Sequence, residues 1–187
     1  MRHRRKGRTL GRSPAHRKAL LKNLASAIFL TERDAEGEAN APKVPGRIVT
    51  TLPKAKEVRG LVEKCITIAK KSLPAAEQAA QFATTEKRGS EGYKQWRQSD
   101  QWQKWAAARA PVVTARRRVV QLIGDKQAAE ILFEKVAVRF ADRPGGYTRI
   151  LRLATPRLGD AGQRAILEFV GKNDRPKKKQ SEKPAFE

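Results

Sequence analysis

The chain has 187 residues, with 41 Lys plus Arg against 19 Asp plus Glu, and a formal net charge of +22 at pH 7. That length suits one domain with decorations, and 39% apolar residues are enough for one modest core. A lone cysteine excludes an intrachain disulfide, no apolar run approaches the ~20 residues of a membrane span, and the pI near 10.9 calls for an anionic partner, nucleic acid before a membrane surface.

The charge is unevenly placed. Residues 1–22 hold nine Lys or Arg and no acid, and the first carboxylate is Glu32. Such a block repels itself in free solution, so residues 1–13 read as a basic arm that orders only when bound. Fully extended, the arm reaches about 45 Å at ~3.3–3.6 Å per residue, enough to thread between RNA helices. Arg2, Arg4, Arg5, Arg8 and Arg12 can bridge phosphates bidentately. His3 can stack on a base or contact phosphate, or stand idle in solvent. Arg-rich, acid-free N-termini also occur in organelle presequences; no removable segment is obvious here, and the arm reads as part of the working protein.

Ser13-Pro14 signals a helix start, with Ser13 as N-cap and Pro14 in the first helical position. Leu20, Leu24, Ala27 and Ile28 then fall on one face, while Lys18, Lys22 and Ser26 fall on the other. The helix is expected to end near Leu30. Residues 32–46, rich in acid, Gly and Pro, read as a loop. Ile48 to Thr51 is β-branched and predicts a short strand. Pro53 opens a second helix whose stripe of Ala55, Val58, Val62, Cys65 and Ala69 puts the thiol on the buried face.

Residues 74–110 predict a helical insertion. Pro74 starts an Ala-rich helix expected to run to Gly89, and Tyr93, Trp96, Trp102 and Trp105 follow. These four do not share a face of one helix, but a fresh start capped by Ser99 lets them converge into a small aromatic core. Base stacking by the Trp rings is the alternative. Pro111 is expected to open a further helix that Gly124 closes. Asp125 caps the next, with Ala129, Leu132, Phe133, Val136 and Phe140 inward. Arg116, Arg117 and Arg118 fan around the preceding helix, either as a solvated face or as an RNA contact. After the break at Pro144-Gly145-Gly146, strands are predicted over 147–153 and 164–170. The expected class is α+β: helices packed on a small mixed β-sheet, within one domain over 14–171 followed by a disordered Lys-rich tail over 172–187.

Catalytic and metal chemistry find no convincing set. His3 and His16 both lie in the basic N-terminal stretch, no paired Cys or H-E-x-x-H exists, and no Walker A loop is present. The expectation is no enzyme, no cofactor, no metal and no small-molecule substrate.

Several blocks together carry a resemblance. Met1-Arg2-His3-Arg4-Arg5-Lys6, Leu10-Gly11-Arg12 and His16-Arg17-Lys18-Ala19-Leu20-Leu21-Lys22-Asn23-Leu24-Ala25 open the chain. Arg47-Ile48-Val49-Thr50-Thr51-Leu52-Pro53-Lys54-Ala55-Lys56-Glu57 follows. Later come Leu132-Phe133, Arg143-Pro144-Gly145-Gly146-Tyr147-Thr148-Arg149-Ile150-Leu151, Pro156-Arg157-Leu158-Gly159-Asp160 and Ala165-Ile166-Leu167-Glu168. In this order the blocks resemble the bacterial family of ribosomal protein seventeen of the large subunit. The resemblance implies a structural constituent that binds large-subunit ribosomal RNA near the rim of the peptide exit tunnel, beside other large-subunit proteins, in the cytoplasm and bound to the ribosome. It implies no membrane and no homo-oligomer. The RNA-facing segments it implies are Arg2, His3, Arg4, Arg5, Lys6, Arg8 and Arg12 of the arm, and His16, Arg17, Lys18 and Lys22 of the first helix. Arg143, Gly145, Gly146, Tyr147, Thr148 and Arg149 complete the set at the turn. Pro144 departs from the family's usual residue. The loop 32–46, the Trp-bearing insertion and the Lys-rich tail exceed a short member, and the resemblance gives them no role.

Overall fold

Pro14 begins the first helix, α1 (Pro14–Leu30), in the computed structural model of the chain, which describes residues 7–171. Arg2, His3, Arg4, Arg5 and Lys6 and the tail 172–187 lie outside the described residues. Ser13 holds the N-cap position through its backbone carbonyl, which accepts from the Arg17 N–H at 2.9 Å, while its side chain makes no capping bond. Ala25, Ile28 and Phe29 are buried on the inner face of α1. The strand β1 (Arg47–Thr51) leads directly into α2 (Leu52–Lys71), with Pro53 in the first turn, where no backbone donor is needed. The expected stripe of Ala55, Val58, Val62, Cys65 and Ala69 is buried, and Ile66 joins it.

The segment between α2 and the last helices departs from expectation. α3 (Leu73–Gln81) stops well short of Gly89, and α4 (Glu91–Gln98) starts under a cap in which Ser90 Oγ accepts from Tyr93 N–H at 3.1 Å. α5 (Asp100–Ile123) begins after Ser99 but runs unbroken through Pro111, which was expected to open a separate helix. α5 packs on α3, α2 and α6, and Val112, Val119 and Ile123 are buried in its second half, the last two within the main core. That packing outweighs the ~3 kcal/mol an interior proline costs. The insertion therefore shares α5 with the main core. The break at Ser99 brings Trp96 to 5.5 Å from both Tyr93 and Trp105, centroid to centroid. Trp102 stays outside this trio and lies beneath the Arg97 guanidinium, 5.8 Å from the ring centre.

α6 (Lys126–Ile131) is capped by Asp125, whose Oδ1 accepts from Ala128 N–H at 3.1 Å. It continues through a π-helical turn, Leu132–Val136, into α7 (Ala137–Arg139). The wider turn buries Leu132, Phe133 and Val136 together. Three acids of the 32–46 loop pair within the protein. Arg139 makes a two-bond contact with the buried Glu32, at 3.2 and 2.9 Å, and Lys135 reaches Asp34 at 2.5 Å. Arg33 binds Glu38 and the Asn40 carbonyl.

Two further strands, β2 (Thr148–Arg152) and β3 (Arg164–Phe169), complete a sheet of order β1-β3-β2. The class is α+β, but the sheet is antiparallel throughout where a mixed one was expected. β3 returns from the 154–163 loop and inserts between β1 and β2, running opposite to both. Ile48 and Ile150 flank Leu167 in register. α2 packs across all three strands, and Ala165, Leu167 and Phe169 are buried on that side. Phe169 meets Phe29 at 6.0 Å and Phe140 at 6.1 Å, joining sheet, α1 and the end of α7 in one core.

Candidate RNA interface

Residues 7–12 fold back along the start of α1. Arg12 donates to the Leu10 carbonyl at 3.2 Å and to His16 Nε2 at 3.3 Å, and Arg17 donates to the Arg8 carbonyl at 3.4 Å. Arg8 crosses to α2, where its Nε stands 3.3 Å from Glu57 Oε1. This carboxylate holds the root of the arm against the N-terminal half of α2. Lys18 is exposed. Lys22 lines a separate groove of α1 with Asn23, Gly124 and Lys126.

The turn and strand at 143–152 run alongside α2 in the opposite direction. Lys70 Nζ donates to the Arg143 carbonyl at 2.6 Å, and Arg143 Nε in turn donates to the carbonyls of Gly145 and Gly146 at 3.1 and 3.2 Å. The guanidinium therefore shapes its own turn. Further along, Thr148 Oγ1 donates to Glu63 Oε1 at 2.9 Å, and the same oxygen takes Arg59 Nε at 3.2 Å. Beyond it a cleft of about 470 Å³ opens between α2 and β2, lined by Leu52, Lys56, Arg59, Thr148, Ile150 and Arg152 and bordered by Arg149. From Glu57 to Lys70 the helix spans about 20 Å at ~1.5 Å per residue, so the contacts form a track along α2 and not one point.

The structure thus separates the sequence-derived candidates by role. Arg8, Arg12, His16 and Arg17 gather at the arm's root. Gly146 is exposed at the turn and Gly145 half-buried. Tyr147 and Thr148 are each 3% exposed; the Tyr147 ring packs 5.2 Å from Phe140. Arg149 donates to Glu168 at 2.6 Å. Sequence reasoning missed Lys56, Arg59 and Arg152 as members of a cationic cleft. Their three-residue spacing on α2 was a usable signal for Lys56 and Arg59, whereas the approach of Arg152 depends on strand placement.

Burial pushes the Cys65 thiol up from about 9 to about 12, with Lys64 opposing weakly. Among the described residues no group of three or more His, Cys, Asp or Glu is placed to hold a metal ion. No helix there is long and apolar enough to cross a membrane.

Comparison with known proteins agrees with the sequence blocks. Over all 187 residues the chain is 68% identical to the large ribosomal subunit protein bL17 of Rhodopirellula baltica, covering 89% of that protein. It is 34% identical to bL17 of Halothermothrix orenii, over 87% of this chain and 96% of that protein. With bL17 of Lactobacillus helveticus identity is 38%, over 87% and 98% respectively. Residues 20–170 match the sequence model of the family described as Ribosomal protein L17, and the chain is a member of that family.

Proposed function

We propose that this chain is a structural constituent of the large ribosomal subunit that binds and fixes large-subunit ribosomal RNA. Its place is in the cytoplasm, on the ribosome, near the rim of the peptide exit tunnel and beside other large-subunit proteins. The observation that carries RNA binding is the cationic track along α2. There Arg8 is anchored by Glu57 at one end, and Lys56, Arg59 and Arg152 line an open cleft. Charged walls that converge on a groove attract a polyanion more strongly than the same charges scattered. Arg2, Arg4 and Arg5 precede that anchor in the sequence and add cations for the same polyanion. Family membership supports the ribosomal setting, and the tunnel-rim position follows from the resemblance alone.

Sedimentation of a lysate through a high-salt sucrose gradient, with immunoblotting for this chain, tests the reading. Stoichiometric migration with the large subunit is the expected result. Release to the top of the gradient would mean an exchangeable nucleic-acid binder without a fixed site.

A further inference from the structure

α2 carries six Lys or Arg against two acids, Glu57 and Glu63. On charge alone both acids should weaken the hold of this helix on a polyanion, since a carboxylate repels phosphate. Each of them, however, holds an arginine in one particular way. Glu57 Oε1 stands 3.3 Å from Arg8 Nε, and its other oxygen lies against Gly7, where a side-chain carbon would come to 3.3 Å. Glu63 Oε1 accepts from Arg59 Nε at 3.2 Å and from Thr148 Oγ1 at 2.9 Å.

A guanidinium has five N–H donors, one on Nε and four on the terminal nitrogens. In both pairs Nε is the nitrogen engaged. Among the described residues the terminal nitrogens of Arg8 and Arg59 have no hydrogen-bond partner. The arginine side chains are 43% and 45% exposed, and their carboxylates 22% and 26%. The acid is thus the inner member of each pair and the guanidinium the outer one. Arg143, exposed beside the C-terminal end of α2, repeats the arrangement with its Nε on the Gly145 and Gly146 carbonyls. Arg139 shows the opposite mode. Both its terminal nitrogens bind the buried Glu32, so that fork is spent within the fold.

An untethered arginine gives up rotamer freedom when it grips a phosphate. One already held by Nε gives up less, and its terminal edge remains for a two-bond contact. We propose that Glu57 and Glu63 are positioning residues for RNA binding. Through Arg8 and Arg59 their carboxylates raise the affinity of the chain for RNA phosphates, against the sign of their own charge. The proposal rests on the RNA-binding reading above and deepens it.

The experiment measures binding of the full chain to large-subunit ribosomal RNA transcribed in vitro, over a range of salt concentrations. The variants are Glu57→Ala and Glu63→Gln, each checked by thermal melting; the second keeps an acceptor for Thr148. Affinity should fall by about 2–10-fold in each, the effect of setting one side chain loose. The salt slope should stay unchanged, because no cation has been removed. Arg8→Ala and Arg59→Ala should instead lower that slope by about 1 each. In the Arg8→Ala background Glu57→Ala should cost no further affinity, and Glu63→Gln should cost none in the Arg59→Ala background. If Glu63→Gln melts early, Glu57→Ala alone decides.

An acid variant that binds as tightly as the parent chain, or more tightly, overturns the role given to that acid and leaves the RNA-binding reading standing. A loss that persists when the arginine is absent means that the acid acts through the fold, which also overturns the positioning role. Full-affinity binding by both arginine variants overturns the positioning role together with the α2 track.

Discussion

Arg149 and Glu168 oppose each other across β2 and β3, with Nε 2.6 Å from Oε1 and the Glu168 side chain 2% exposed. The pair sits at a position that sequence reasoning assigned to RNA contact, and the register turns the guanidinium onto a carboxylate of its own sheet. Removing the cation leaves a buried carboxylate without it. Arg149→Ala should therefore destabilise the protein by about 2–4 kcal/mol, somewhat below the ~3–5 kcal/mol typical of a broken buried pair because Arg149 is partly exposed. Glu168→Gln, which keeps an acceptor and removes the buried charge, should cost less. Urea denaturation of both variants checks the order.

Lys56, Arg59 and Arg152 should behave in the opposite way. They line the open cleft, and among the described residues Arg59 pairs with Glu63. Lys56→Ala and Arg152→Ala should leave the melting temperature within about 1–2 °C, since surface changes usually stay within ±0.5 kcal/mol. Each should weaken binding to a large-subunit RNA fragment and lower the salt slope by about 1 if it contacts a phosphate. Titrations across a range of salt concentrations read that slope directly. An unchanged slope would remove the cleft from the interface.

Cys65 is buried in the stripe of α2, and its thiol is pushed up to about 12. Alkylation by iodoacetamide at pH 8 should be slow in the native protein and rapid in denaturant, because only opened molecules expose the sulfur. The linkage has a definite sign. Between the unfolded value near 9 and the folded value near 12 the unfolded chain has lost the proton and the native one keeps it. Stability should therefore fall by up to about 1.4 kcal/mol per pH unit in that window, and not at all below it from this group. Cys65→Ala should lack this component of the alkaline slope when the two are melted side by side.

Pro111 lies inside α5 and can give no N–H to the carbonyl one turn back. It is exposed, so Pro111→Ala removes no core packing. The substitution should raise stability, by as much as ~1–3 kcal/mol if the helix already follows a regular path there. Thermal denaturation checks the direction; a lower melting temperature would mean that the proline sets a bend α5 needs.

Trp96 joins Tyr93 and Trp105 and donates from Nε1 to the Phe82 carbonyl at 3.3 Å. It thereby ties α4 to the end of α3 and the start of α5. Trp96→Ala should cost about 2–4 kcal/mol, the lower part of the range for deleting a large aromatic, because the ring is only half buried. Hydrogen exchange should show the loss concentrated in residues 73–105, with the β-sheet amides still protected.

Much of the chain was legible before any coordinates. Pro14, Pro53, Ser99 and Asp125 marked real helix starts, and the stripes of α2 and of α6 with its π-helical extension marked the buried residues, because caps and periodicity act over a few residues. The acid-free N-terminus and the order of the sequence blocks pointed to the family. What only tertiary structure decided were relations between distant residues. β3 inserts between β1 and β2 because both edges of its apolar stripe find partners, and no local signal specifies that order. Pro111 stays within a helix because packing on α3 and the core exceeds its local penalty. Arg149 belongs to Glu168, Tyr147 to the core, and Lys56 to a cleft, since a side chain's role is fixed by what the fold brings opposite it. Composition determined that this protein carries cations in excess; three-dimensional pairing determined which of them hold a carboxylate of the same chain.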